Sequence, residues 1–327
     1  MIWSLQENFM KIPLKINLAN IPTPVQKNKF EGCDFFIKRD DYTGVELSGN
    51  KIRKLEFLLA DAKKRKSDYI YTCGGDQSNH ARATTIASTA LGFKTKLFLW
   101  GNKNQRKDGN LFLNDIAGAE IEYLTKKEYF NVNSIMLEKK RLLEKKNKSA
   151  YIIPSGGSSN LGIWGYINFV KELNEQIDLS KIKGILLANG SSGTAAGIIL
   201  GCAILGIKMK VFPVNVLLTE DEVRSDIENL VYGCIDDYKL NVKINFSNLE
   251  ILDGYSKEGY KKISKEKISL IKELFSETGI LLDPTYTGKA FKAFYDNFLK
   301  NKKKTNILFL HTGGIFGAFA KKKNYLD

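Results

Sequence analysis

The sequence predicts an α/β protein built on mostly parallel sheets. Short runs of β-branched and aromatic residues alternate along the chain with segments of helical periodicity. Three of those runs end in glycine-rich turns, the position at which open α/β sheets hold their ligands. At 327 residues the chain is long enough for two modest domains, each with its own core.

The elements follow in order. ELSGNKIRKLEFLLADA (46–62) carries a well-formed amphipathic helix. DYIYTCG (68–74) reads as a buried strand, and HARATTIASTALG (80–92) as a helix with a small-residue face. TKLFLW (95–100) is a strand, 108–118 a helix and EIEYL (120–124) a strand. A long charged helix spans about 135–148, and SAYIIP (149–154) is the next strand. The second half repeats the rhythm: strand 183–190, helix 194–206, strand 209–216, helix 260–279 and strand 305–314. No internal repeat or low-complexity linker interrupts it. The density of glycine and serine in SGGSSNLG (155–162) marks a domain boundary.

Composition narrows the function classes. A hydrophobic share of 43% and a charged share of 26% are those of an ordinary globular protein. No apolar run approaches the roughly 20 residues that span a bilayer, and the N-terminus lacks an apolar signal core, so a cytoplasmic protein with no membrane partner is expected. Cys33, Cys73, Cys202 and Cys234 are far apart and form no CxxC pair, which argues against a disulfide framework or a zinc site. The net charge of +14 points by itself to nucleic acid. Its lysines, however, fall in scattered clusters mixed with Glu and Asn, without any nucleic-acid-binding signature, as expected of solvated helix ends.

The three turns are CGGDQSNHAR (73–82), NGSSGTAAG (189–197) and HTGGIFGAF (311–319). In the second, close backbone approach, the hydroxyls of Ser191, Ser192 and Thr194 and the N–H groups of a helix N-terminus suit an anion such as phosphate. A plain strand-to-helix turn with a serine cap is the competing explanation. The loop is neither GxGxxG nor GxxxxGK[ST], which disfavours a dinucleotide or a nucleoside triphosphate, and it is not the GxSxG of an α/β-hydrolase. Both histidines, His80 and His311, lie in these turns. A Ser-His-Asp triad could be assembled from the parts, but no spacing demands one.

Lys51 and Lys54 are three residues apart, on one side of a first helical turn. Cations there oppose the helix dipole. Their placement therefore calls for a reason other than helix stability, such as an anionic ligand, and a lysine whose pKa a second cation lowers is a better Schiff-base nucleophile. Ordinary solvated lysines remain the simpler alternative.

SGNKIRKLEFLLADA, CGGDQSNHARATTIASTALG, NGSSGTAAG, GILLDPTYTGKAF (279–291) and FLHTGG (309–314) occur in the order and spacing of one family, and KIPLKINLANIPTPVQ (11–26) is similar to its opening. Together they resemble the D-cysteine desulfhydrase and 1-aminocyclopropane-1-carboxylate (ACC) deaminase family, over nearly the whole chain. The resemblance implies the tryptophan-synthase-β type of fold, pyridoxal-phosphate fold type II. That fold has two domains, each an open twisted mostly parallel sheet with helices on both faces. It implies a large domain of 1–47 and 162–327, a small domain of 48–161, pyridoxal 5′-phosphate as cofactor, a small amino acid as substrate and a homodimer.

Residue by residue, the resemblance implies that Lys51 holds the cofactor covalently and moves protons once displaced. Asn79 would bond the cofactor's 3′ oxygen, and Ser78 with the Asn79 and His80 backbone would take the substrate carboxylate. Lys54 and the loop Gly190, Ser191, Ser192, Gly193, Thr194 would hold the phosphate. Tyr286 would lie near ring and substrate, with Tyr260 as a second tyrosine whose flanking residues diverge from the family's. Thr312 would lie near the pyridine nitrogen, where a neutral hydroxyl, unlike an aspartate, does not enforce protonation and so favours elimination. ACC deaminases resemble SNQ followed by YEG, whereas this chain has Ser78-Asn79-His80 and Tyr286-Thr287-Gly288, the desulfhydrase-like choices. D-Cysteine α,β-elimination is therefore expected, with ACC ring opening or dehydration of another small amino acid as the alternative. Asp76 departs from the apolar residue expected there; it could shift substrate preference or cap the helix that follows, and capping is the simpler expectation.

Overall fold

The computed structural model describes residues 12–104, 106–257, 259 and 263–326. Along the chain the strands are β1 (Val25–Phe30), β2 (Cys33–Arg39), β3 (Tyr69–Gly75), β4 (Lys94–Trp100), β5 (Glu120–Leu124), β6 (Ala150–Ile152), β7 (Gly184–Asn189), β8 (Lys210–Asn215) and β9 (Lys304–His311). They form two sheets, in the orders β1-β2-β9-β7-β8 and β5-β4-β3-β6. Every pairing is parallel except the β1–β2 hairpin. Glu31 and Gly32, both with positive φ, make its two-residue turn, the conformation whose twist matches the strands it joins. The central strands are buried along their length, in β7 at every position, as sheets covered on both faces require.

The helices named below are α1 (Lys51–Lys64), α2 (Asn79–Ala90), α3 (Gly109–Ile116), α4 (Lys126–Tyr129), α5 (Val132–Glu144), α6 (Trp164–Gln176), α7 (Gly193–Leu205), α8 (Glu220–Tyr238), α9 (Lys265–Thr278), α10 (Thr287–Phe294) and α11 (Ile315–Ala320). On the first sheet α6, α7 and α8 cover one face and α9 with α10 the other. On the second, α1 and α2 pack against one face, and Met136 of α5 joins the cluster on the other. Helix α1 stands between the two layers. Ile52, Leu55 and Leu59 enter the core of the second sheet, while Phe57 enters that of the first. It is consequently buried nearly all round, which a helix tolerates only between two layers. Truncating Leu55 or Leu59 to alanine costs roughly 2–5 kcal/mol at such sites.

The expected strands and helices are all present, most within a few residues of their predicted ends. The predicted helix 260–279 starts at Lys265, and 260–262 lie outside the described residues. The hairpin, α6, α8, α10 and α11 are not among the expected elements. For α8 the signal was available: Val223, Ile227, Val231 and Cys234 keep helical spacing behind a Thr219–Glu222 capping box. Helix α6 opens WGYINFV, an aromatic and β-branched run that mimics a strand. All four cysteines are buried and free.

Candidate active site

The three glycine-rich turns follow β3, β7 and β9 and converge with the start of α1. They enclose a cavity of about 250 Å³ whose walls include Lys51, Ser78, Asn79, His80, Tyr286 and Thr312. Gly190 and Ser191 complete the wall on the β7 side. Lys54, Ser192, Gly193 and Thr194 stand just behind that wall. Tyr260 lies outside the described residues.

Lys51 is the first residue of α1, whose first turn holds no acid. Half-buried at the cavity wall, it loses enough hydration to lower its pKa to about 8. Burial is the cause, rather than the neighbouring cation the sequence suggested; the repulsion between the two cations lowers Lys54 instead, after burial. The lysine is held from both sides. Before it, the Asn50 N–H donates to the Thr312 carbonyl at 3.1 Å and the Asn50 amide to Thr194 Oγ1 at 3.0 Å. After it, Arg53 is bonded to Asp40, Glu172 and Thr23 in the interior.

Lys54 is fully buried, and burial followed by the Lys51 charge pushes its pKa well below the ordinary lysine value. Its ammonium donates to the Gly156 carbonyl at 3.0 Å and to Ser158 Oγ at 3.2 Å. No carboxylate pairs with it among the described residues. The same Ser158 Oγ accepts the N–H of Gly193 at 3.2 Å and bonds Ser191 Oγ at 3.0 Å. A Cβ on Gly193 would come within 2.5 Å of Ser158 Oγ and 3.1 Å of the Lys54 ammonium, so only glycine leaves this concavity open. Ser192, at the N-cap of α7, gives the helix no side-chain cap. Its hydroxyl is instead bonded by Asn189 and Asp226. Of the three hydroxyls expected to serve an anion, Ser191 alone belongs to the cavity wall, because Ser192 and Thr194 are committed elsewhere.

Opposite, Ser78 Oγ caps α2 by accepting the Ala81 N–H at 3.1 Å, which leaves its own proton free to donate. Asp76 does not cap this helix, contrary to expectation; Ser78 does. The Thr72 hydroxyl donates to the Ile153 carbonyl, so His80 Nε2 is the donor in their 2.9 Å bond. Burial, then the charges of Lys51 and Lys54, holds His80 well below the usual histidine pKa, and the ring is neutral. His311 donates Nε2–H to the Leu281 carbonyl at 3.1 Å and accepts the Gly313 N–H on Nδ1 at 3.1 Å. The hydrogen bonds of both histidines thus go to hydroxyl or backbone partners, His80 Nδ1 having none, and no triad forms among the described residues. Thr287 is likewise turned from the cavity, its hydroxyl donating to the Asp283 carboxylate at 2.7 Å.

The sequence reading missed Trp100, Tyr129 and Ser155, which also line the cavity. Tyr129 ends α4, fixed by a Thr125–Glu128 capping box directly after β5. Its hydroxyl bonds the Cys73 thiol and Ser155, and burial, followed by the proximity of Cys73, raises its pKa. TKKE directly after a strand was the available signal. Asn110, which bonds the Asn79 side chain at 2.9 Å, carried none.

A half-buried lysine of lowered pKa beside an anion cradle is chemistry shared by many carbonyl-cofactor enzymes. Comparison with known proteins is more specific. A family model described as "Pyridoxal-phosphate dependent enzyme" matches residues 16–313. A putative 1-aminocyclopropane-1-carboxylate deaminase of Thermotoga maritima is 41% identical over 95% of this chain and 99% of its own. A bifunctional D-cysteine desulfhydrase/1-aminocyclopropane-1-carboxylate deaminase of Arabidopsis thaliana is 38% identical over 93% of this chain and 79% of its own. Among solved structures, an ACC deaminase homologue superposes with a TM-score of 0.88 at 35% identity, covering 99% of this chain and 98% of that one.

Proposed function

The chain belongs to the pyridoxal-phosphate-dependent enzyme family, and from that premise we propose that it is a lyase that eliminates sulfide from D-cysteine, giving pyruvate, hydrogen sulfide and ammonia. The observation that carries the reading is Lys51, an amine with a pKa of about 8 in a cavity flanked by the Lys54–Ser158–Gly193 cradle. The residues fit the cofactor. Lys51 supplies the covalent attachment, and the concavity kept open at Gly193 beside an unpaired buried ammonium suits a phosphate. Gly190 to Thr194 contribute through backbone N–H groups and Ser191 through its hydroxyl. Asn79 would bond the ring's phenolic oxygen, and Thr312 would lie near its nitrogen. When bound, pyridoxal phosphate supplies the electron sink for the bond broken at the substrate's α-carbon.

The protein's own groups do the rest. The Ser78 proton and the backbone N–H groups of Asn79 and His80, at the start of α2, take the substrate carboxylate. Lys51, whose amine lines the cavity, would accept the α-proton on Nζ. Tyr286 bounds the substrate side, and Tyr260 would supply the second tyrosine of the site. Sulfide leaves Cβ as the α-proton is lost, and the released enamine takes up water to give pyruvate and ammonia. In this reading the pocket lies between a large domain of 1–47 and 162–327 and a small domain of 48–161, in a cytoplasmic homodimer.

ACC ring opening to 2-oxobutyrate is the second reading, favoured by the names of the Thermotoga maritima relative and of the superposing structure. Sulfide release from D-cysteine, with L-cysteine and ACC run alongside on the cofactor-loaded protein, separates them. Sulfide from D-cysteine without 2-oxobutyrate from ACC supports the first. The reverse result overturns it and leaves the cofactor assignment standing.

A further inference from the structure

Asn79 reaches the cavity from the first turn of α2, and an asparagine can present either a donor or an acceptor there. Its neighbours decide which. Asn110, at the start of α3, is fully buried. Arg82 Nε–H, a group that can only donate, points at Asn110 Oδ1 at 3.2 Å. The Gln77 carbonyl, which can only accept, lies 2.9 Å from Asn110 Nδ2. These two contacts fix the Asn110 amide independently and in the same sense. Its second N–H then points at Asn79 at 2.9 Å, so the atom it meets is an acceptor, Oδ1. Asn79 Nδ2 is left with no partner among the described residues.

We propose that Arg82 and Asn110 are positioning residues that lock Asn79 with its N–H donors toward the cavity, so that this wall favours an anionic oxygen on the bound ligand. The inference rests on the role given above to Asn79. It adds the source of that residue's polarity.

Arg82 is suited to the task. It is fully buried, no carboxylate pairs with it among the described residues, and its other N–H groups go to the carbonyls of Glu46 and Ser48, the latter at 2.8 Å. Phe316 lies under the guanidinium at 5.1 Å. The cation is thus spent on neutral dipoles, and burial lowers its pKa to about 9. A charge at one end of two amides in series polarises both in the same direction and strengthens the last donor.

The test is a pH titration of the cofactor's visible absorbance in the loaded protein, with circular dichroism to confirm folding. A donor facing the phenolic oxygen stabilises its anion, and an acceptor there destabilises it. Asn110→Asp can only accept, so Asn79 must turn Nδ2 toward it and present Oδ1 to the cavity. The apparent pKa of the visible band should rise by about one unit, a tenfold change in proton affinity. Asn110→Ala, which releases Asn79 without inverting it, should give a smaller rise, and it decides alone if the aspartate variant does not fold. A titration like the wild type's in both overturns the inference, as does an equal shift in both, which would reflect lost packing. Asn79→Ala is the control. If it leaves the titration unchanged, the role of Asn79 is wrong; if it shifts the titration and Asn110→Asp does not, the relay alone is wrong.

Discussion

The carboxylate of Asp40 holds the guanidinium of Arg53 through two hydrogen bonds, of 2.9 and 2.8 Å, two residues beyond Lys51. The Asp40 carbonyl accepts the Gly49 N–H at 3.1 Å, so one residue anchors both flanks of the lysine. Tyr166 and Thr23 also donate to its carboxylate, and Glu172 bridges Arg53 to Lys38. Asp40→Asn leaves the buried guanidinium partly unpaired, a defect costing about 3–5 kcal/mol. Chemical denaturation should register that loss, and cofactor affinity should fall with it. Wild-type stability in this variant would show that the cluster does not anchor α1.

Lys51→Ala should abolish turnover and the visible absorbance while leaving the fold intact; retention of either overturns the assignment. The apoprotein offers a pH test. With its pKa lowered from 10.5 to about 8, the folded lysine gains free amine as pH rises through 8. At neutral pH it holds roughly 300-fold more free amine than a solvated lysine. The rate of cofactor capture should therefore climb between pH 7 and 9 and level off above. A rate still climbing at pH 10 would mean an ordinary lysine.

Lys54→Met separates binding from stability. Burial opposes the ammonium, so removing it should leave the melting temperature unchanged or raise it. The cofactor phosphate loses a charged hydrogen bond, worth about 1.5–3 kcal/mol, so its dissociation constant should rise about 10- to 100-fold. Equilibrium dialysis measures this directly. Unchanged affinity would place the phosphate elsewhere.

Much of this site was legible in the sequence because its parts are local. Glycine-rich turns after buried strands and two cations opposing a helix dipole can be seen without the fold, and they lead to Lys51, Lys54 and the α7 loop. The illegible parts depend on distance in the chain. Ser158 joins Lys54 to Gly193 across more than 100 residues, and the glycine- and serine-rich segment that carries it reads locally only as a domain boundary. Hydroxyls also deceive, since Ser192 and Thr194 look like anion donors until their partners Asn189 and Asn50 are known. The β1–β2 hairpin was hidden by the lysines on its exposed positions, although Glu31-Gly32 marked the turn.

Thr287 bears on how substrate choice can be altered. It stands where ACC deaminases resemble a glutamate, so Thr287→Glu is the obvious conversion. The geometry predicts that it fails. Thr287 is buried, its hydroxyl donates to Asp283 Oδ1 at 2.7 Å and accepts the Asp283 N–H at 2.9 Å, and it is not on the cavity wall. The same carboxylate accepts the N–H groups of Thr285, Tyr286 and Thr287, and so sets the turn that presents Tyr286. A glutamate would bury a second carboxylate against the first, which has no ion-pair partner recorded among the described residues. Thr287→Glu should lose several kcal/mol of stability on the scale of an unpaired buried charge, with D-cysteine turnover reduced and no ACC turnover gained. A stably folded Thr287→Glu protein that opens ACC would show that this turn rearranges to bring position 287 to the substrate.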